Sequence, residues 1–185
     1  MSESGLSLFD TPLGWCGIAW GRGGLAGVQL PEGGERATLQ RLKRRFPDLA
    51  AAVPPEWVGR AIAAIRSLLE GKDVDLGDIR LDESSLGSFE AAVLHAARAI
   101  PRGRTLTYGE LAAQIGDPQA AQAVGRALGR NPWPIVVPCH RITAAAGRTG
   151  GFSAHGGAAT KLRLLEIEGA LAAETLPLFA AEAKS

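Results

Sequence analysis

The 185-residue chain is poor in cysteine, in long apolar runs and in charge of one sign. Its two cysteines, Cys16 and Cys139, are too few for a disulfide framework. The expected compartment is a reducing cytoplasm, where a thiol can stay reactive. No run of about 18 apolar residues occurs, so no membrane span is expected. Met1 to Asp10 contains no basic segment followed by an apolar one, so no secretory signal is expected either. His95, His140 and His155, taken with the two cysteines, show no zinc-type spacing, and no metal is expected. Gly21 to Gly24 is not followed by Lys-Ser/Thr and lacks a strand-to-helix setting, which argues against a phosphate loop. There are no internal repeats. What remains is a chain with 46% hydrophobic and 21% charged residues, enough to fold around a core.

The net charge of +1 is unevenly spread. Residues 1 to 85 hold 10 Lys and Arg against 12 Asp and Glu, whereas residues 86 to 170 hold 9 against 5. The second segment is modestly basic, which suits transient contact with a polyanion or simply a solvated surface. The expected organisation is an N-terminal domain over residues 1–84, a second domain over 85–170 and a poorly ordered tail over 171–185.

In the first domain, Gly14 to Trp20 and Leu25 to Leu30 read as two strands joined by a glycine-rich hairpin. Glu35 to Phe46 and Trp57 to Leu69 read as helices, the second ended by Gly71. Asp73 to Leu81 alternates and is a candidate strand. In the second domain, Ser88 is the expected cap of a helix that Pro101 terminates. Thr107-Tyr108-Gly109-Glu110 fits a capping box, and that helix should stop at Gly116. Asp117-Pro118 then starts another, running to about Gly129. Two helices so closely joined suit a helix-turn-helix. The second is rich in small residues (Ala120, Ala121, Ala123, Gly125, Ala127, Gly129), which permits close approach to another surface or close packing inside the protein. A last helix is expected from about Ala159 to Glu168, closed by Gly169.

Between these helices lies Asn131-Pro132-Trp133-Pro134, which the prolines keep extended, leading into the apolar run Ile135-Val136-Val137 and then Pro138-Cys139-His140-Arg141. A thiolate is a nucleophile, and a nearby imidazole can take its proton. On an extended chain Cys139 and His140 would point to opposite faces, so transfer through one water is the simpler geometry unless the chain turns there. Alternatively, Cys139 is a buried core residue. Glu168 sits at the negative end of a helix dipole, against the usual preference. It either orients a histidine or is a tolerated surface residue.

Four segments together resemble the O6-alkylguanine-DNA alkyltransferases, also called methylated-DNA–protein-cysteine methyltransferases. They are Tyr108-Gly109-Glu110-Leu111-Ala112, Ala123-Val124-Gly125-Arg126-Ala127-Leu128, Asn131-Pro132 and Ile135 to Arg141. The resemblance covers roughly Ser88 to Gly169 and is loose over the first 80 or so residues. It implies an α/β (α+β) fold: a small N-terminal domain with an antiparallel sheet, ribonuclease H-like, and a mostly helical C-terminal winged helix-turn-helix domain. It also implies a single-turnover repair protein, expected to be a monomer, that binds double-stranded DNA, flips the damaged guanine and needs no cofactor. By the same resemblance Cys139 takes the alkyl group from the O6 of guanine, with the O4 of thymine as a second candidate donor. His140 deprotonates Cys139 through a water, Glu168 orients His140 and Tyr108 donates to the guanine ring. Asn131 holds the turn before the motif, and Val137 and Ser153 make backbone or side-chain contacts with the flipped base. Gln122, Ala123, Gly125, Arg126 and Arg141 complete the expected DNA and substrate contacts. Gln122 stands where the family usually has arginine, Phe152 where tyrosine is frequent, and the loop from Phe152 to Lys161 is about two residues longer than the common form. Two other readings are a non-catalytic sensor of alkylated guanine, which the presence of Cys139 disfavours, and a cysteine hydrolase, which leaves the helix pair unexplained.

Overall fold

A computed structural model describes residues 3–145 and 150–170. The expected disorder of the 171–185 tail therefore falls outside the described residues. The chain forms two compact units: Met1–Ser85 together with Pro132–Val136, and Leu86–Asn131 together with the chain from Val137 onward. Among the described residues no helix is long and apolar enough to cross a membrane. The architecture is the mixed α/β one implied by the resemblance, a small antiparallel sheet with helices in one unit and mostly helices in the other.

In the first unit, β1 (Gly5–Thr11), β2 (Gly14–Gly21) and β3 (Gly24–Gln29) form an antiparallel meander in that order. Strands β2 and β3 are the expected hairpin. The first strand was not anticipated, although Leu6 and Leu8 alternate along it. Leu6 lies opposite Ala19, and Phe9 opposite Cys16. Helix α1 (Glu35–Arg45) packs on one face of this sheet, where Leu6, Ala19 and Leu42 form a buried cluster. Gly17 allows the approach, because a Cβ there would lie 2.8 Å from Leu42 Cδ2. Cys16, Ile18 and Trp20 alternate with Gly17 and Ala19 along β2 and are fully buried. Helix α2 (Glu56–Leu69) packs beside β1 and buries Val58, Ala61, Ile65, Leu68 and Leu69 at helical spacing.

Two expectations fail in this unit. Asp73 to Leu81 is not a strand and keeps only an isolated bridge from Leu81 to Leu25. There the Asp75 carboxylate accepts from the Gly77 N–H at 2.7 Å, a local bond that competes with strand pairing. The apolar run before the cysteine motif is not extended either. Ile135 and Val136 form a turn, and Ile135 has φ +75°. A β-branched residue in that region carries about 1–3 kcal/mol of strain, so its surroundings must hold it there. They do: Trp133, Ile135 and Val136 are at most 2% exposed, and the Trp133 indole N–H donates to Leu25 O at 2.7 Å.

In the second unit, α3 (Ser88–Arg98), α4 (Tyr108–Gln114) and α5 (Ala121–Gly129) pack against one another. The capping box at α4 is formed: Glu110 N–H donates to Thr107 Oγ1 at 3.2 Å, and Thr107 N–H to Glu110 Oε2 at 2.6 Å. Ser88 is the first residue of α3 rather than its cap. Gly87 holds the cap position, and its N–H donates to the Glu90 carboxylate at 3.4 Å. Helix α5 begins three residues later than Asp117-Pro118 suggests, with Ala120 in the cap position. Asp117 spends its side chain on the Gln119 N–H at 3.2 Å and its carbonyl on the Ala120 N–H at 3.0 Å, closing a separate turn. At nine residues and with two glycines, α5 is too short to stand alone. Gly125, in the helix interior, costs about 1 kcal/mol. Burying Val124 and Leu128 returns about 1.5–3 kcal/mol apiece, so packing decides. Strands β4 (Leu106–Thr107) and β5 (Ile142–Thr143) pair in parallel, and α6 (Ala158–Ile167) packs on the turn that precedes β5.

Candidate active site

Pro138, at φ −79° and ψ 65°, breaks the chain into a single 3₁₀ turn over Cys139–Arg141. A 3₁₀ turn rotates successive side chains by about 120°. Three consecutive residues therefore face three directions. Cys139 stays partly exposed, while His140 and Arg141 turn inward, 0% and 7% exposed. The opposite-faces geometry expected of an extended chain is thus replaced by a turn.

The two inward side chains meet Glu168, the residue that ends α6. Its Oε1 lies 2.9 Å from His140 Nε2. Arg141 donates through Nε to Oε2 and through Nη2 to Oε1, each at 2.8 Å. Burial alone would raise the Glu168 pKa. The bonds and charges of His140 and Arg141 prevail and hold it down at about 2. Burial pushes the His140 pKa below its ordinary value, against the pull of Glu168. At neutral pH the imidazole is therefore uncharged. With Nε2–H donated to the carboxylate, the Nδ1 lone pair remains, and Nδ1 has no hydrogen bond among the described residues.

Burial raises the Cys139 pKa. The Asn131 side chain, the Lys161 charge and the backbone N–H groups of Cys139 and His140 oppose it. Asn131 also donates from Nδ2 to Val137 O at 2.9 Å. Lys161 escaped the sequence reading. It is a fully buried lysine on α6, donating to Ile142 O at 2.5 Å, and its Nζ sits 5.9 Å from the centre of the Tyr108 ring. Burial lowers its pKa to about 8 against the pull of Cys139. The available signal was its place: residues 161, 164 and 165 share the buried face of α6.

Cys139 opens into a cavity of about 640 Å³. Tyr108 forms one wall, α5 another through Gln122 and Gly125, and Phe152 and Ser153 a third. The Tyr108 hydroxyl donates to Gly151 O at 3.3 Å, and burial raises its pKa, with Cys139 adding to the shift. Gly125 faces the Tyr108 ring, and an added Cβ there would meet it at 3.7 Å, an ordinary van der Waals contact. Ser153 Oγ donates to Gly129 O at 3.2 Å. Gln122 and Arg126 are exposed on α5, one turn apart, while Ala123 is half-buried and outside the cavity wall. Arg126 makes no ion pair among the described residues. Among those residues no grouping of His, Cys, Asp and Glu could hold a metal ion.

Comparison with known proteins bears on this geometry. Residues 88–170 match the 6-O-methylguanine DNA methyltransferase, DNA binding domain, family. The methylated-DNA–protein-cysteine methyltransferase of Methanothermobacter thermautotrophicus is 38% identical over 158 residues, which are 85% of this chain and 81% of that protein. The chain belongs to the methylated-DNA–protein-cysteine methyltransferase family. Solved structures of the family superpose on it. Mycobacterium tuberculosis OGT in complex with DNA has TM-score 0.71 and 34% identity, covering 94% of this chain and 98% of that one. The O6-methylguanine-DNA methyltransferase of Pyrococcus kodakaraensis KOD1 has TM-score 0.70 and 28% identity, covering 89% and 99%.

In this methyltransferase the structure brings Cys139, Tyr108, Gln122, Gly125 and Ser153 to one cavity, with His140 and Glu168 behind it and Asn131 beside the thiol. One expected DNA or substrate contact lies elsewhere. Arg141 is committed to Glu168 and to Ile100 O, so its guanidinium faces inward and not toward DNA. The Val137 side chain is 1% exposed, leaving its carbonyl, which already accepts from Asn131 and Cys139, as its polar edge. For Arg141 the physical reason is again the 3₁₀ turn, which swings its side chain inward beside that of His140.

Proposed function

We propose that the protein repairs duplex DNA by moving an alkyl group from the O6 of guanine to the Cys139 sulfur, once per molecule. The observation that carries this is the thiol at the cavity floor, with an uncharged imidazole and a fixed carboxylate behind it. His140 Nδ1 takes the thiol proton through a water, and Glu168 stabilises the imidazolium that forms. The thiolate attacks the alkyl carbon. A sulfur–carbon bond forms and the carbon–O6 bond breaks, its electron pair passing to the purine. Tyr108 supplies a proton or hydrogen bond to the ring so that guanine leaves neutral. The thioether has no hydrolysing partner, so the protein is spent.

The recognition helix is α5, whose small residues allow close approach to DNA and whose Gln122 borders the space where a flipped base would sit. Residues 85–170 carry the activity and residues 1–84 support it. The protein acts as a monomer in the cytoplasm, where both cysteines remain thiols. Intact-protein mass after incubation with duplex DNA holding one O6-methylguanine tests this. The expected result is one added methyl, mapped to Cys139 and absent in Cys139→Ala. Lesion-specific binding without a mass change would replace the reading with that of a sensor.

A further inference from the structure

The chain leaves the second unit after Asn131, spends Pro132 to Val136 in the first, and returns at Val137, two residues before the thiol. Those five residues are anchored at several points. Pro132 O accepts from Val28 N–H at 2.9 Å and from Arg45 Nη2 at 3.1 Å. Arg45 Nη1 also donates to Val28 O at 2.7 Å and to Gln29 Oε1 at 2.9 Å. One guanidinium therefore ties α1, β3 and the excursion together through neutral oxygens. The Phe46 ring lies under it at 5.1 Å. Beside Pro132, the Trp133 indole is pinned to Leu25 O. Between these anchors and the thiol stands Ile135, held in left-handed geometry.

We propose that Arg45 and Trp133 are positioning residues for Cys139. They fix the excursion, the excursion fixes its two ends, and the ends hold the thiol. The two ends are themselves joined, because Asn131 donates to Val137 O, and that carbonyl also accepts from the Cys139 N–H at 2.8 Å. Asn131 is in addition a hydrogen-bonding partner of the Cys139 sulfur. A slack excursion lets Asn131 and Val137 drift, and the thiolate loses a donor. The inference rests on Cys139 being the acceptor of the alkyl group.

The test reads the thiol without DNA. Alkylation of Cys139 by iodoacetamide is followed across pH in the full chain, by intact mass and peptide mapping. The charged and titratable groups facing the sulfur are Lys161 from α6 and Tyr108 from α4, and both are retained, as is His140, whose backbone N–H faces it. Arg45→Met keeps length and removes the donors. The expected result is a rate about fivefold lower at neutral pH and a pH midpoint moved upward. Arg45→Lys, which can reach fewer of the three acceptors, should recover part of the loss. Trp133→Phe keeps an aromatic ring, loses one hydrogen bond and should shift the same profile by less. Wild-type rates and midpoints in folded Arg45→Met and Trp133→Phe would overturn the proposal, as would a lower rate with an unmoved midpoint. If Arg45→Met does not fold, Trp133→Phe decides alone. Failure of transfer from O6-methylguanine with a shifted iodoacetamide profile would sink the repair reading and leave the positioning role intact.

Discussion

The two cysteines, one in each unit, are both removed largely from water, and they differ in what surrounds the sulfur. Cys16 sits inside β2 with the Thr11 hydroxyl, 3.6 Å away, as its polar neighbour. Burial prevails there and pushes its pKa up to about 11. Cys139 is also pushed up by burial, but an amide, a buried ammonium and two backbone N–H groups oppose the push. Burial alone produces an inert thiol. Reactivity requires donors fixed in advance around the charge that will form.

The comparison can be broken at several points. The largest effect is expected from Glu168→Gln. Losing one partner of a buried pair leaves the Arg141 guanidinium uncompensated, at about 3 kcal/mol. For a chain of this size the melting temperature should fall by about 10 °C. The wild type should also show an acid dependence that the variant lacks. The Glu168 pKa is depressed in the fold, so its stabilisation is complete above pH 4.5 and is lost as pH falls toward about 2. Calorimetry of both proteins between pH 2 and 7 checks this.

Lys161→Met should bring Cys139 closer to the condition of Cys16. Loss of the cation raises the thiol pKa, and one unit lowers the thiolate fraction, and so alkylation at neutral pH, about tenfold. The wild-type advantage should shrink above pH 8, where Lys161 itself discharges. Stopped-flow alkylation at several pH values would show a constant ratio if the lysine acted only through packing. From the other side, Cys16→Ala should cost about 1 kcal/mol of stability and leave the transferred methyl count unchanged. Denaturant titration and intact mass report the two numbers. The smallest effect concerns DNA rather than the thiol. Gln122→Arg, restoring a cation beside the cavity, should tighten binding to a lesion-bearing duplex about threefold. Unchanged affinity in a fluorescence titration would show that Gln122 does not limit base flipping.

Much of this site could be read from the residues because its signals are local. Thr107 and Glu110 close their own capping box, and Pro138-Cys139-His140-Arg141 carries its chemistry in four consecutive positions. What escaped depends on partners distant in sequence. Lys161 reads as an ordinary helix cation until Ile142 and Cys139 are placed beside it. Arg45 reads as one more charge on a basic helix until Pro132, 87 residues away, supplies its acceptor. The left-handed Ile135 has no local signature at all, since its residue type argues against that conformation and only the packed surroundings enforce it. Arg141 was misassigned for a related reason: a cation within a motif suggests DNA, and only the turn reveals that it faces Glu168.

The 3₁₀ turn also limits how this stretch can change in length. One residue inserted between Cys139 and Arg141 would advance everything beyond it by about 120°. The guanidinium would leave Glu168, and either the imidazole or the thiol would have to give up its place. Side-chain substitutions here can be graded, one partner at a time. An insertion or deletion cannot, so the four-residue motif should tolerate altered letters more readily than altered spacing.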